Sequence, residues 1–200
     1  VISPDAPPRL EPPESIEAFE RMLAETDARR DRVLLLPHHL GYAVGYRGVN
    51  WESVTDAATP VVEIISMHGL AEGDDGNFPY LHTMGPLDGD NTMHGGLARG
   101  LHFGVLGSTD HHSAHPGSFG YGKTAVWATE LSREAIWEAI LHRRTYAVSG
   151  DRIALQFSIN GFPMGSEITS AAQHRAIRVA AVGGDEIDRI EVLKNGRLLD

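Results

Sequence analysis

Residues 107–124, GSTDHHSAHPGSFGYGKT, combine side chains that belong to two different chemistries. The first half carries one carboxylate and three imidazoles, groups that bind transition metals: Asp110, His111, His112 and His115. The second half, 117–124, fits the phosphate-loop pattern G-x-x-x-x-G-K-[ST]. A phosphate loop indicates a nucleotide-binding protein, whereas a histidine-rich segment indicates a metal site, so the two halves predict different functions.

The phosphate-loop pattern stands in the wrong context. A working loop leaves a strand directly and enters a helix whose first amides receive the phosphates. Here about nine residues separate the preceding apolar run from Gly117, and the pattern leads into the β-like AVWAT. We interpret it as a coincidence in a glycine-rich loop. A serine hydrolase is also disfavoured, because Ser108, Asp110 and His112 lie too close together to form a relay.

Three apolar runs, RVLLLP, VVEIIS and FGVLG, contain or precede groups that bind metals. These groups are His38, His39, Glu63, Asp110 and His112. Continuous apolar runs are typical of strands buried in a parallel sheet, and the carboxyl ends of such strands lie at one face. The spacing therefore predicts a divalent-metal site with ligands at about 2.0–2.2 Å. Two alternatives stay open: hydrogen-bonded loop histidines, and an ion-paired strand carboxylate at Glu63.

The remaining histidines are interpreted as surface residues or as residues around a site rather than as ligands. They are His68, His82, His94, His102, His115, His142 and His174. His111 is expected to point away from its neighbour His112, because successive side chains in an extended segment face opposite ways.

Composition narrows the class of protein. The formal charge of −10, from 17 basic and 27 acidic residues, disfavours a nucleic-acid partner. The absence of cysteine leaves imidazole and carboxylate as the metal ligands. No apolar run reaches the roughly 20 residues that span a bilayer, so no membrane partner is expected and the chain is predicted to be soluble. Homo-oligomerisation and compartment stay open, with the cytoplasm favoured.

The elements that must position these groups follow from periodicity. A helix is predicted over 14–29, a buried strand before Pro37, a long loop over 70–96, and a helix capped by Ser132. Residues 152–200 alternate in polarity and contain Asn-Gly turns, which indicates antiparallel β structure. We expect two units, an α/β unit over 1–150 and a β-rich extension over 151–200.

PHHLGY, VVEIISMHG and GSTDHHSAHPG, followed by LSREAIWEAILHRRTYAVSGDRIALQFSINGFPMGS, resemble the C-terminal half of a member of the PHP (polymerase and histidinol phosphatase) superfamily. The resemblance covers 34–166, and the branch it points to is largely uncharacterised. It implies an α/β fold, a partial distorted (β/α)7 TIM-like barrel with a small C-terminal antiparallel β unit. It also implies a cluster of divalent ions (Zn, Mn or Fe) that hydrolyses a phosphate ester through metal-activated water.

The resemblance carries over to individual residues. His38 matches a lone histidine after a late strand, Asp110 and His112 match a final Asp-x-His, and Glu63 matches a strand acid near the metals. The superfamily's opening His-x-His is absent from the 200 residues. We therefore expect weak or no metal binding and no turnover by this chain, unless another chain or a preceding segment completes the site.

Two functions follow. The first is a metal-dependent hydrolase, a phosphoesterase acting on a small phosphorylated substrate. The alternative is a non-catalytic ligand- or partner-binding module with a vestigial metal site. Arg143, Arg144 and Arg152 carry guanidinium groups suited to an anionic ligand, and surface salt bridges explain them equally well.

Overall fold

The computed structural model describes residues 4–5, 14–73, 83–113 and 120–199. Four α-helices and two 3-10 turns lie in these residues: α1 Ile16–Glu25, α2 Ala28–Asp31, α3 Met93–Ala98, α4 Arg133–Leu141, and the turns Trp51–Ser53 and Gly89–Asn91. The strands are β1 Val61–Ser66, β2 Gly69–Leu70, β3 Gly104–Gly107, β4 Lys123–Val126, β5 Thr145–Val148, β6 Ala154–Ile159, β7 Phe162–Pro163, β8 Ile177–Val182, β9 Leu193–Lys194 and β10 Arg197–Leu198.

The strands form four small sheets, with the orders β2-β1-β3, β4-β5, β7-β6-β8 and β10-β9. Among the described strands, β1 and β3 make the one parallel pair, with Val61 opposite Gly104, and the other pairs are antiparallel. The predicted partial (β/α)7 TIM-like barrel is therefore wrong, because a barrel needs parallel strands that alternate with helices and close on themselves. The described strands contain one parallel pair with α3 between its members, and they do not close on themselves.

The prediction of a buried strand before Pro37 is wrong, because this run forms no regular strand. Leu34 is fully buried, and the amide of Leu35 donates to the carbonyl of Ala58 at 2.9 Å. The amide of Glu63 donates to the carbonyl of Pro37 at 3.0 Å. Pro37 has no amide hydrogen to return a bond, so regular pairing cannot continue through it. The segment lies beside β1 and delivers the next two residues to the end of that strand.

The core is built around β1, which is buried along almost its whole length. Val62 packs in one cluster with Leu40, Trp51 and Ala71, and the ring of Phe103 stacks on Trp51 with centroids 5.6 Å apart. A second cluster joins helices α2 and α4 to the irregular segment and contains Ala28, Leu34, Trp137 and Leu141. These two clusters fix the chain segments that carry the polar groups at the ends of β1 and β3.

The residues predicted to begin helices and turns are largely confirmed. The hydroxyl of Ser132 accepts from the amide of Ala135 and begins α4, and Asn50 caps the turn Trp51–Ser53. The helix predicted over 14–29 is divided into α1 and α2. The loop predicted over 70–96 contains the turn Gly89–Asn91 and the start of α3, and its residues 74–82 lie outside the described residues.

Antiparallel pairing is present after residue 152, as the alternation of polarity predicts. Asn195 and Gly196 both have positive φ and connect β9 to β10, which is the backbone geometry of a two-residue hairpin turn. The boundary at residue 150 stays a prediction.

Candidate metal centre

The parallel pairing of β1 and β3 brings their carboxyl ends to one edge, where the irregular segment also ends. His38, His39 and Asp110 meet there, and one ligand atom from each lies within 4.8 Å of the others. Nε2 of His39 is 3.4 Å from Oδ2 of Asp110. Two ligands bound at about 2.1 Å with a tetrahedral angle stand about 3.4 Å apart, so this pair has the spacing of two metal ligands.

Oδ2 of Asp110 is buried between imidazoles. It lies 2.8 Å from Nε2 of His68 and 3.4 Å from Nε2 of His39, within ion-pair distance of both, although neither contact has the alignment of a hydrogen bond. A buried carboxylate is costly without a compensating charge, and a bound cation would supply one. This oxygen and the nitrogen donors around it therefore fit a divalent ion of the zinc type.

His68 holds Asp110 from behind. Its side chain is buried just beyond the end of β1, and its Nδ1 lies 3.3 Å from the hydroxyl of Tyr42. The rest of its ring edge faces Asp110, so Tyr42, His68 and Asp110 form a continuous polar chain. Sequence reasoning placed His68 among the residues around a site or on the surface. Its position two residues past a buried strand is the signal that assigns it to the same edge as Asp110.

Two of the three clustered residues adopt a left-handed backbone conformation. His39 has φ of 59° and Asp110 has φ of 50°. Such a conformation costs a side-chain-bearing residue about 1–3 kcal/mol and persists where surrounding structure holds it, most often at functional sites. Here the strained backbone turns an imidazole and a carboxylate toward the same point.

Electrostatics keep the imidazoles in the form that binds metal. Loss of hydration lowers the pKa of His39, and the neighbouring His38 lowers it further. The pKa of His38 is lowered mainly by loss of hydration as well. Burial alone would raise the pKa of Asp110, but contact with His112 and the charges of His68 and His39 outweigh it, so the pKa is lowered. Neutral imidazoles beside an ionised carboxylate are the states that coordinate a cation.

Glu63 lies in β1 and does not join the three clustered ligand atoms. It is 7% exposed and accepts a short hydrogen bond from the hydroxyl of Ser108. Burial raises its pKa to about 7; the bond from Ser108 opposes the shift and the charge of Asp110 adds to it. Glu63 is thus a buried carboxyl group that exchanges a proton near neutral pH, next to the candidate ligands.

The remaining predicted ligand, His112, and several other histidines lie outside the cluster. Nε2 of His112 lies 3.2 Å from Oδ1 of Asp110, on the opposite oxygen from the cluster, and its side chain is 87% exposed. His111 turns instead to the hydroxyl of Ser113. His102 pairs with Asp56, and His142 pairs with Glu138. His82 and His115 lie outside the described residues.

The last two residues of the phosphate-loop pattern form hydrogen bonds that stabilise the fold. Lys123 and Thr124 begin β4; Nζ of Lys123 donates to the carbonyl of Gly150, and the hydroxyl of Thr124 donates to the carbonyl of Gly107. They lie in a strand and no helix begins directly at them, so the context that a phosphate loop needs is missing here. Residues 117–119 of the pattern lie outside the described residues.

Comparison with known proteins finds one family model and several relatives, all of unknown function. A family model described as a protein of unknown function (DUF3604) matches residues 118–189. An uncharacterised protein of Chlamydia muridarum (strain MoPn / Nigg) is 32% identical over 155 residues, which cover 70% of this chain and 25% of that protein. One from Chlamydia trachomatis serovar D is 30% identical over 168 residues, covering 76% of this chain and 27% of that protein. The chain thus spans about a quarter of the length of these relatives. No solved structure matches it significantly.

No helix in the described ranges combines the length and the apolar character needed to cross a bilayer.

Proposed function

We propose that this chain supplies part of the metal centre of a metal-dependent hydrolase that cleaves phosphate esters. The observation that carries the proposal is that ligand atoms of His38, His39 and Asp110 lie within 4.8 Å of one another at the carboxyl edge of a parallel strand pair. Asp110 is 71 residues from His39 in the sequence, so the fold brings them together. The resemblance to the PHP superfamily supports the reaction class. His38 and Asp110 are favoured by both the geometry and the resemblance, whereas the geometry adds His39 and leaves His112 outside the cluster.

The residues at this edge would have different roles. His38, His39 and Asp110 would hold a divalent ion (Zn, Mn or Fe), which supplies a lowered pKa for bound water and a positive charge toward phosphoryl oxygens. His68 fixes the orientation of Asp110, and Tyr42 fixes that of His68. Glu63, with a pKa of about 7, can accept or release a proton at neutral pH.

Three protein ligands are the number found in catalytic zinc sites, so we expect weak but saturable binding of one ion by this chain. The His-x-His of the superfamily is absent from these 200 residues. We therefore place the ligands needed for turnover in further parts of a longer protein or in a second copy.

The test is phosphatase activity on the longest available form of the protein. Hydrolysis of p-nitrophenyl phosphate is measured after treatment with a chelator and after adding back Zn²⁺ or Mn²⁺. We expect activity that depends on the added metal and falls at least about a hundredfold in Asp110→Asn, because the charged ligand is lost. The control is His102→Ala, an exposed imidazole paired with Asp56, which should retain full activity. Bound metal without turnover would favour the non-catalytic module instead.

A further inference from the structure

A cavity lies apart from the candidate metal centre, in the β-rich part of the chain. A cavity of about 750 Å³ opens between the end of β4, the start of β5 and the sheet β7-β6-β8. Its volume is within the 300–1,000 Å³ typical of pockets for small organic ligands. None of its lining residues belongs to the candidate metal centre, and all of them lie within residues 118–189, the part that matches the family model.

The walls of the cavity are joined by three hydrogen bonds, two of them half-buried and one exposed. Nε1 of Trp127 donates to the carbonyl of Leu155 at 2.8 Å. The hydroxyl of Tyr146 donates to the carbonyl of Ile153 at 2.9 Å and accepts from the amide of Leu155 at 3.0 Å. These bonds join the β4-β5 sheet to β6, so the spacing between the two walls is set before a ligand arrives. A preformed cavity keeps the cost of ordering on binding low.

The cavity is positively charged. Arg144 and Arg178 line it, and no acidic residue does. In the described residues neither arginine forms an ion pair, and Nε of Arg144 is buried without a hydrogen-bond partner. The neighbouring Arg143, by contrast, pairs with Glu167. A buried donor without a partner is costly, and an oxyanion from a ligand is the group that satisfies a guanidinium best.

The rest of the lining is mostly apolar. Trp127, Phe157, Met164 and Ile177 offer ring and aliphatic surface to whatever binds beside the arginines. Trp127 is held in place by its bond to Leu155 while 39% of the residue stays exposed. Inorganic phosphate alone would leave this surface uncovered. A ligand with both an anionic group and an apolar body matches both parts of the lining.

We propose that this cavity binds a small organic anion, with its phosphate or carboxylate group on Arg144 and Arg178 and its apolar body against Trp127 and Phe157. The proposal is independent of the metal centre, because it uses none of the residues of that centre.

The test is calorimetric titration of the 200-residue chain in chelator-containing buffer with four probes. Phenyl phosphate and benzoate carry a ring and an anion, benzyl alcohol carries the ring alone, and inorganic phosphate carries the anion alone. We expect one ring-bearing anion per chain, bound at least about tenfold more tightly than benzyl alcohol or inorganic phosphate. The ratio of phenyl phosphate to benzoate affinity identifies the anionic group that the arginines prefer. Equal affinity for the ring-bearing anions and benzyl alcohol would overturn the proposal.

Three variants locate the site. Arg144→Gln and the exposed Arg178→Gln should each weaken binding of the preferred anion at least about tenfold. Arg178 serves as the second variant in case the loss of the partly buried Arg144 disturbs folding, which a thermal melt will show. Arg175→Gln is the matched control, because Arg175 lies nearby and outside the lining, with its guanidinium on the carbonyl of Ala172. Weakening by Arg175→Gln equal to that by Arg178→Gln would overturn the assignment. Asp110→Asn should leave binding unchanged.

Discussion

Asp110 is the residue on which the candidate metal centre depends. Its two carboxylate oxygens face different groups: Oδ2 lies beside the imidazoles of His39 and the buried His68, and Oδ1 faces the exposed His112. Its backbone is held in the left-handed region, where few residues other than glycine, asparagine and aspartate are stable. A carboxylate placed at this cost, with a buried oxygen that makes no aligned hydrogen bond, is what the proposed cation would stabilise.

The first prediction concerns His68, which positions Asp110 without joining the clustered ligand atoms. His68→Ala should weaken Zn²⁺ binding by about ten- to hundredfold, as loss of a group that orients a metal ligand does. Tyr42→Phe, which removes the hydroxyl beside His68 and keeps the ring, should have a smaller effect in the same direction. Both are measured by calorimetric titration, with a thermal melt to confirm folding. Unchanged affinity in His68→Ala would show that Asp110 does not need this support.

The second prediction concerns the pH dependence of stability that Glu63 causes. Its pKa is raised from 4.5 to about 7 in the folded protein, so the folded state binds the proton more tightly than the unfolded chain does. The stabilisation is fully present below pH 4.5 and is lost as pH rises toward 7 and beyond. It amounts to no more than about 3 kcal/mol.

Glu63→Gln should remove this dependence and keep an oxygen that accepts from Ser108. The unfolding free energy of Glu63→Gln, relative to the wild type, should therefore increase between pH 4.5 and pH 7.5. Chemical denaturation at both values, with chelator present, measures it. A constant difference between the two proteins across this range would contradict the account of Glu63.

At the scale of elements, the glycine before β4 shows why a phosphate-loop pattern arises without a phosphate loop. A Cβ on Gly122 would lie 2.5 Å from the carbonyl oxygen of Ile65 and 2.6 Å from that of Ser108. The chain needs glycine there because β4 begins against the ends of β1 and β3. The next two residues bond to backbone carbonyls, so the Gly-Lys-Thr sequence is explained by packing.

The third prediction follows from that contact. Gly122→Ala should destabilise the protein by about 1–3 kcal/mol, because both neighbouring atoms belong to backbone that cannot move aside locally. The midpoint of thermal or chemical unfolding measures the change. Gly183→Ala is the control, since its added Cβ would meet side-chain atoms of Asp151 and Ile187 no closer than 3.3 Å. Equal stabilities of the two variants would argue against tight packing at Gly122.

How far the sequence predicts these elements depends on how local each signal is. The apolar run VVEIIS predicts β1, Ser132 predicts the start of α4, and Asn195-Gly196 predicts a hairpin, because each signal acts within a few residues. The run before Pro37 misleads, since it is as apolar as a strand but lacks the amide that continued pairing requires. Its burial was predictable, and its irregular path was not.

The same reasoning applies to the candidate site. The carboxyl-edge rule for parallel strands predicts that His38 and His39 approach Asp110, and the geometry agrees with it. The rule does not predict that Glu63 lies outside the cluster or that His68 contacts Asp110. Both positions depend on the direction in which the side chains point at the end of β1. His112 belongs to the Asp-x-His that resembles the superfamily, yet its side chain is exposed and contacts Oδ1 of Asp110, the oxygen that does not face the cluster.

At the scale of the whole molecule, the described residues form small sheets rather than a barrel, and the two candidate sites lie in different regions. The parallel pair β1 and β3 carries the candidate metal centre, and the antiparallel region after β4 carries the cationic cavity. Substitutions at the two sites should therefore act independently. The double variant Asp110→Asn/Arg178→Gln should lose Zn²⁺ and anion binding by the same factors as the single variants, within about twofold. Strong coupling between them would indicate one shared site.

The central claim is that His38, His39 and Asp110 bind one divalent ion. Calorimetric titration of the metal-free chain with Zn²⁺ and Mn²⁺ tests it most directly, with His39→Ala, Asp110→Asn and the control His102→Ala measured alongside. The account predicts weak, saturable binding of one ion per chain, reduced at least about tenfold by the first two substitutions and unchanged by the control. No saturable binding, or binding that both His39→Ala and Asp110→Asn leave intact, would contradict it.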